Sequence, residues 1–314
     1  MSTRPNGRRF EVPASVKLAL TGATGFVGAH LLDLALAEGH EVRALTRRAQ
    51  PARDGVTWID GALDRHDALA ALVAGADAVI HVAGVINAAD AAGFEAGNVT
   101  GTAFLLDAAE AAGVARFVHV SSLAAREPQL SLYGASKARS EALVKASPLS
   151  TAIVRPPAVY GPGDRETLEL FKMAKRGLVV LPPQGRLSLI HVDDLAALLL
   201  ALAASAANLL VEPDDGRRGG WTHVEFGRAL GQAVDRKVRT LSAPRALLTL
   251  AARADRLVRG DKAKLTPDRA AYFCHPDWTV APDHIAPAEL WQPRIGTEAG
   301  LAATANWYRA AGWL

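Results

Sequence analysis

Tyr133 and Lys137 stand four positions apart in the run Tyr133-Gly134-Ala135-Ser136-Lys137. On a helix that spacing puts both side chains on one face. An ammonium beside a phenol favours the phenolate and draws the phenol down from its ordinary pKa of about 10. A tyrosine held in this way can give a proton to a carbonyl oxygen, or take one from an alcohol, near neutral pH. An apolar stretch closing on Val120 leads into Ser121-Ser122, upstream of the tyrosine. A serine hydroxyl there can hold the same oxygen. Alone, the Tyr-x-x-x-Lys spacing describes many surface pairs. Its distinguishing context is the Ser-Ser strand end before it and the segment Arg155-Pro156-Pro157-Ala158-Val159-Tyr160-Gly161 after it.

A second constellation opens the chain. Leu18-Ala19-Leu20-Thr21-Gly22-Ala23-Thr24-Gly25-Phe26-Val27-Gly28 reads as a buried strand, a tight glycine turn and the start of a helix predicted over 26–38. Gly22 permits a sharp turn that a Cβ would obstruct, Gly25 lets backbone approach a diphosphate, and Gly28 lets the helix pack closely on its strand. Thr24, Phe26 and Val27 share the turn with them. The free N–H groups and positive dipole end of the helix suit phosphate oxygens.

These residues need a scaffold, and the hydrophobic pattern supplies one. Apolar strands are expected near 17–21, 42–46, 56–59, 78–82, 117–120 and 152–155, with helical stretches between them. Such alternation predicts an α/β fold, a doubly wound parallel sheet with helices on both faces. From Gly161 onward prolines and glycines recur and the elements shorten, which suggests a smaller C-terminal α/β portion over the open strand ends. The expected organisation is an extension at 1–15, a dinucleotide-binding domain at 16–163 that borrows elements up to about 210, and a substrate portion at 164–314.

The order of these motifs resembles the extended branch of the short-chain dehydrogenase/reductase family, which holds nucleotide-sugar epimerases, dehydratases and ketone reductases. The resemblance covers roughly residues 16–200. It implies a Rossmann domain, a nicotinamide cofactor, and a catalytic set of Ser122, Tyr133 and Lys137, with Ser122 preferred to Ser121 as the second of the pair. It also implies that Lys137 holds the nicotinamide ribose, that Pro156, Pro157 and Val159 meet the nicotinamide end, and that Asn98-Val99-Thr100-Gly101-Thr102 is scaffold beside the cofactor. Small residues after Val82, namely Ala83 and Gly84, would let the cofactor approach the backbone. Where relatives carry a Gly-Asp pair against the adenine this chain has Gly61-Ala62, so backbone or Leu63 is the expected contact. The second strand ends in Thr46-Arg47-Arg48 with no carboxylate for a ribose hydroxyl. A guanidinium suits a 2′-phosphate, so NADP(H) is expected, on Arg47 first and Arg48 second. Homodimers are an implication of the resemblance only.

Composition narrows the partners. The chain has 314 residues, half of them apolar, and a formal net charge of +3. That balance, with no dense basic face, argues against nucleic acid. Cys274 is the single cysteine, so neither an internal disulfide nor a Cys-x-x-Cys metal pair can form. His191-Val192-Asp193-Asp194 looks like a metal cluster but has no second histidine at ligand spacing; no metal is expected, and the aspartates read as helix caps. His81 reads as a packed strand residue, and Trp278, Trp291, Trp307 and Trp313 as packing. The apolar run 195–210 is too short for a membrane span and reads as one buried helix.

The stretch 244–260, bounded by Pro244 and Gly260, has arginines on one helical face and leucines on the other. The expectation is that the leucines face the core; the alternative is peripheral contact with an anionic membrane. A cytoplasmic location, at the inner membrane in that second case, is expected. Ser122 and Tyr133 are eleven positions apart, a shorter loop than many sugar-nucleotide enzymes carry. That favours an NADP(H)-dependent reductase of a ketone or aldehyde. If the 244–260 helix touches lipid, a lipid ketone is a natural substrate, and the resemblance extends to bacterial reductases of ketone-bearing ceramide precursors. A nucleotide-sugar epimerase or dehydratase, and a non-catalytic NADPH-binding accessory subunit, are the alternatives.

Overall fold

A computed structural model describes residues 15–260 and 266–314. The extension expected at 1–15 therefore lies, except for Ser15, outside the described residues. The strands are β1 Lys17–Thr21, β2 Glu41–Thr46, β3 Val56–Asp60, β4 Ala78–His81, β5 Arg116–Val120, β6 Ser150–Val154, β7 Ala158–Tyr160, β8 Leu178–Leu181, β9 Arg186–Leu187, β10 Leu189–His191, β11 Leu209–Val211, β12 Trp221–Thr222, β13 Arg239–Ser242 and β14 Asp277–Trp278. The helices are α1 Phe26–Ala37, α2 His66–Val73, α3 Ala91–Phe94, α4 Gly101–Ala111, α5 Leu132–Ala146, α6 Leu168–Lys175, α7 Val192–Ala203, α8 His223–Ala233, α9 Arg245–Arg259, α10 Pro267–Phe273 and α11 Thr297–Ala310.

Seven strands form the main sheet in the order β11-β6-β5-β4-β1-β2-β3, all parallel. The sequence reading placed six of them. Parallel strands need crossovers, which here put helices on both faces, so the inner strands are buried and mostly apolar, with Thr21, His81, Arg116 and His119 among the polar exceptions. Leu31, Leu195 and Leu199 of α1 and α7 cover Val42, Ile80 and Val118 on one face. Leu69, Leu105 and Val144 of α2, α4 and α5 cover Val79 and Phe117 on the other. A third core, around Phe171, Leu230, Leu301 and Tyr308, holds the C-terminal portion. The order 3-2-1-4-5-6 is that of the Rossmann fold, and its switch point between β1 and β4 is where such sheets open a crevice for ligands.

Three expectations are corrected. The run 195–210 is not one helix: α7 stops at Ala203, and Leu209–Val211 becomes the edge strand β11. The break falls at Ser205 to Asn208, where the Asn208 side-chain oxygen accepts the Thr151 N–H at 2.8 Å and sets β11 beside β6. The cap of α7 is His191, whose Nδ1 accepts the Asp193 N–H at 3.2 Å. Asp193 and Asp194 sit instead in the first turn. Asp194 is buried and accepts the N–H groups of Arg294 and Ile295, binding the late segment to α7. Among the described residues no group of His, Cys, Asp and Glu gathers that could hold a metal ion.

The third concerns α9. It forms as expected, but its leucines do not lie on the core: Leu247, Leu250, Leu257 and Val258 are 56–88% exposed, while the small Ala252 is buried. The side chain of Arg256 lies outside the described residues. Among the described residues no helix is long and apolar enough to cross a membrane.

Candidate active site

The C-terminal ends of β1, β4, β5 and β6 converge on a cleft of about 190 Å³. Its lining includes Val27, Val82, Gly84, Val120, Ser122, Tyr133, Lys137, Pro156, Pro157 and Val159. Ser121, Ile86, Asn98 and Leu195 complete it. Residues far apart in the chain are thus brought together by the strand order alone.

The glycine turn lies at the α1 end of the cleft. Gly22 has φ +78°, and a Cβ there would stand 2.8 Å from the Ala83 nitrogen, so Ala83 backs directly onto the turn. At Gly28 a Cβ would overlap the Gly22 carbonyl oxygen outright. The turn closes with the Gly25 N–H donating to the Gly22 carbonyl at 2.9 Å. Gly25 is the N-cap of α1, with no side chain capping the helix and no acidic residue in its first turn. Thr24 is exposed beside it, and Phe26 and Val27 begin the helix. This is a cradle of backbone donors that suits a diphosphate.

The catalytic candidates sit on β5, α5 and the short 3₁₀ turn between them, Leu123–Arg126. Ser131 caps α5, accepting the Gly134 N–H at 2.9 Å, and Tyr133 and Lys137 follow in the first turns. The two serines take different partners. Ser121 donates to Glu141 at 2.6 Å, and Glu141 is held by Arg155 at 2.7 Å, a buried structural pairing. Ser122 accepts the Ala124 N–H at 3.2 Å, and its hydroxyl is near enough to the Tyr133 phenol to favour the phenolate. Lys137 donates to the Val120 carbonyl at 2.8 Å.

The electrostatics differ from the expectation that Lys137 draws the phenol down. Burial pushes the Tyr133 phenol up, against the opposing effects of the Ser122 hydroxyl and the Arg269 charge. Lys137 is itself desolvated and pushed down to about 8, with Glu141 resisting. Lys137 is not among the groups that set the phenol's shift in this state. Tyr133 is left protonated at neutral pH, the form that donates to a carbonyl oxygen.

A buried polar layer underlies the cleft. Asn98, on a π-helical turn at Glu95–Thr100, accepts the Val85 N–H at 2.6 Å and donates to Ser136 at 2.9 Å. Such turns recur at functional sites. His81 bridges Thr21 at 2.7 Å and Thr102 at 3.0 Å, and burial pushes it down to about 3, so it is neutral.

Some predicted residues stand apart from the cleft. Arg47 and Arg48 are exposed just past the end of β2. Leu63 packs against Gly101 at the start of α4, close enough that a Cβ on Gly101 would meet it at 2.8 Å. Residues not found by sequence reasoning come from α10. Asp268 accepts the Leu132 N–H at 2.7 Å, at the start of the tyrosine's helix. Arg269 and Tyr272 are near enough for their charges to act on or be acted on by Tyr133. No local spacing announces them, since more than a hundred residues intervene.

Residues 18–212 match the NAD dependent epimerase/dehydratase family. Over 309 residues the chain is 43% identical to a ceramide reductase of Caulobacter vibrioides, with 95% of this chain and 96% of that protein covered. It is 31% identical over 220 residues to a 2-alkyl-3-oxoalkanoate reductase of Stenotrophomonas maltophilia, covering 61% of this chain and 66% of that one. Among solved structures, MoeE5 in complex with UDP-glucose and NAD superposes with a TM-score of 0.73 at 23% identity, covering 95% of this chain and 99% of that chain, a likeness of fold. A match across the Rossmann sheet, together with a reductase relative that covers nearly the full length, shows that this chain is an enzyme of the NAD-dependent epimerase/dehydratase family.

Proposed function

We propose that the protein is an NADP(H)-dependent reductase of a ketone or aldehyde, with a long-chain lipid ketone of the ceramide-precursor type as its substrate class. The observation that carries the reading is the convergence of Ser122, Tyr133 and Lys137 on one cleft, with burial keeping the phenol protonated. The ceramide reductase from Caulobacter supports the substrate class through its coverage of the whole chain.

The cradle of Gly22, Gly25 and Gly28 fits a dinucleotide diphosphate, and the small Ala83 and Gly84 give its further end room. Arg47 and then Arg48 would pair with a 2′-phosphate, in a place where no carboxylate competes. Leu63, or backbone beside it, would meet the adenine, and Pro156, Pro157 and Val159 the nicotinamide. When bound, the cofactor supplies the hydride. Tyr133 gives its phenolic proton to the substrate oxygen, and Ser122 holds that oxygen by a hydrogen bond. Lys137 orients the ribose through its ammonium, and its charge supports the phenolate left after proton transfer.

The test is NADPH oxidation by the purified protein with a panel of ketones that includes long-chain 3-keto lipids, beside a Tyr133→Phe variant. Turnover that prefers NADPH and falls by about 10²–10⁴-fold in the variant, with NADPH binding retained, is the expected result. Binding of NADPH without turnover on any ketone would refute the reductase reading and return weight to a binding module. A tightly held nucleotide with no net NADPH consumption would favour an epimerase.

A further inference from the structure

Helix α9 is turned inside out relative to an ordinary amphipathic surface helix. The side that packs on the protein carries the buried Ala252 and the half-buried Leu248 and Asp255. Leu247, Leu250, Leu257 and Val258 form a stripe at i, i+3, i+10 and i+11 turned into solvent, at 56%, 63%, 88% and 83% exposure. The strand before it continues the apolar surface. Leu241 of β13 is 53% exposed and pairs with Val180 of β8, itself 40% exposed. An exposed stripe of this kind marks an interaction surface.

We propose that α9 docks on an anionic membrane surface, with its leucine stripe entering the lipid interface. Charge selects this occupant. The helix carries Arg245, Arg253, Arg256 and Arg259 against the single carboxylate Asp255, a surplus of +3. The exposed Arg245 and Arg253 line a shallow concavity with Thr249, alongside Leu250. A leucine stripe flanked by guanidinium groups is what an anionic interface accepts: apolar area enters the acyl boundary while the charges remain among the headgroups. A second copy of the chain is the poorer occupant. Fifteen residues of helix make a face about 22 Å long and about 10 Å wide, or about 220 Å², whereas a stable dimer buries about 800 Å² on each partner.

The surface is connected to the cleft. Helix α10 packs against α9 and reaches the start of α5 through the Asp268 bond to the Leu132 N–H at 2.7 Å, one residue from Tyr133. A membrane-docked α9 therefore holds the catalytic helix near the lipid surface. Only the choice of a bilayer-resident substrate rests on the reductase reading; docking stands without it.

The experiment is co-sedimentation of the full chain with vesicles of phosphatidylglycerol and phosphatidylcholine, and with phosphatidylcholine alone. The variants are Leu250→Glu/Leu257→Glu and Arg253→Gln, all at exposed positions where folding is not at stake. Binding to the anionic vesicles that weakens at high salt, and that falls at least about tenfold in the double variant, is the expected result. Wild-type protein that stays in the supernatant, or a double variant that sediments like the wild type, would overturn it. So would a wild-type dimer by sedimentation velocity that the double variant converts to monomer without any lipid binding. A kinetic readout separates docking from the reductase reading: turnover on a bilayer-borne ketone should drop in the double variant, while turnover on a short soluble ketone stays level. Failure on every ketone by all variants would count against the reductase, and leave the vesicle result to judge docking.

Discussion

Gly28→Ala tests the cradle most directly, because the structure says what the added methyl group meets. Its Cβ would overlap the Gly22 oxygen and stand 2.6 Å from the Gly22 carbonyl carbon and 3.0 Å from the Ala23 Cα. Carbon atoms rest at about 3.5 Å or more, so α1 and the turn must separate by about 1 Å. All three atoms are backbone, so no side chain can swing aside. Overpacking of this kind costs about 1–3 kcal/mol, and the better helix propensity of alanine returns up to about 1 kcal/mol. A net loss of about 1–2 kcal/mol lowers the melting temperature by about 2–8 °C. The shift also takes the turn's N–H groups away from a diphosphate, and one charge-assisted hydrogen bond is worth about 1.5–3 kcal/mol. NADPH affinity, read by quenching or fluorescence titration, should fall about 10–100-fold. The control is Gly39→Ala, which has φ +82° and nothing within 4 Å of an added Cβ. It should cost about 1–2 kcal/mol through backbone strain alone and leave NADPH affinity unchanged. If Gly28→Ala binds NADPH within twofold of the wild type, the cradle is not the diphosphate site.

Other perturbations have a sign set by the structure. Lys137 is pushed from 10.5 to about 8 by burial, so the folded state is penalised below pH 8 and the penalty disappears as pH rises from about 8 to 10.5. That shift is worth about 3 kcal/mol, less about 1 kcal/mol for the bond to Val120. Lys137→Met should therefore raise stability at pH 7 by about 2 kcal/mol while abolishing turnover; urea melts that show destabilisation instead would contradict this. His119 is held well below 6.5 by burial and the charge of Lys137. The unfolded chain takes up its proton below pH 6.5 and the folded chain does not, so about 2 kcal/mol is lost by pH 5. His119→Phe should flatten the fall in stability between pH 7 and pH 5 by that amount. Arg47→Glu should reduce the preference for NADPH over NADH about 10–100-fold in kcat/KM, with the same change at Arg48 doing less.

The fold was readable where local pattern and global packing agree. The glycine turn, the buried strands and the Tyr133–Lys137 spacing each depend on a few neighbouring residues, and the parallel sheet follows from their alternation. The two serines were harder. Adjacent and chemically alike, they diverge because Glu141 captures Ser121, a partner twenty positions away across a helix. The run 195–210 misled for a similar reason, since Asn208 answers to Thr151 on the neighbouring strand and not to its own helix. The residues of α10 around Tyr133 were invisible, because only tertiary contact brings them there. For α9 the periodicity gave the two faces correctly, but periodicity carries no information on which of them meets the protein.

The buried charges behind the cleft explain why such a costly arrangement persists. The open ends of β5, β6 and β11 are followed in turn by Ser121, Arg155 and Glu212. Arg155 bridges Glu141 at 2.7 Å and Glu212 at 3.2 Å, and Arg126 adds a second contact to Glu212 at 3.2 Å. Glu212 is fully buried and also accepts the Ala281 N–H at 2.8 Å. Replacing such a network with apolar side chains often leaves stability unchanged or raises it, so stability alone does not account for it. Its geometry does. Backbone bonds run on past the strand ends on either side of Ser122, from the Ser121 N–H to Val154 at 2.6 Å and from the Leu123 N–H to Pro156 at 3.1 Å, and the buried charges lie beside them. The carboxylates and guanidinium groups add directional bonds across the three strand ends and into the C-terminal segment. The serine next to Ser122 is fixed by the same Glu141, so the cleft gains a rigid wall at the position where a carbonyl oxygen would be gripped.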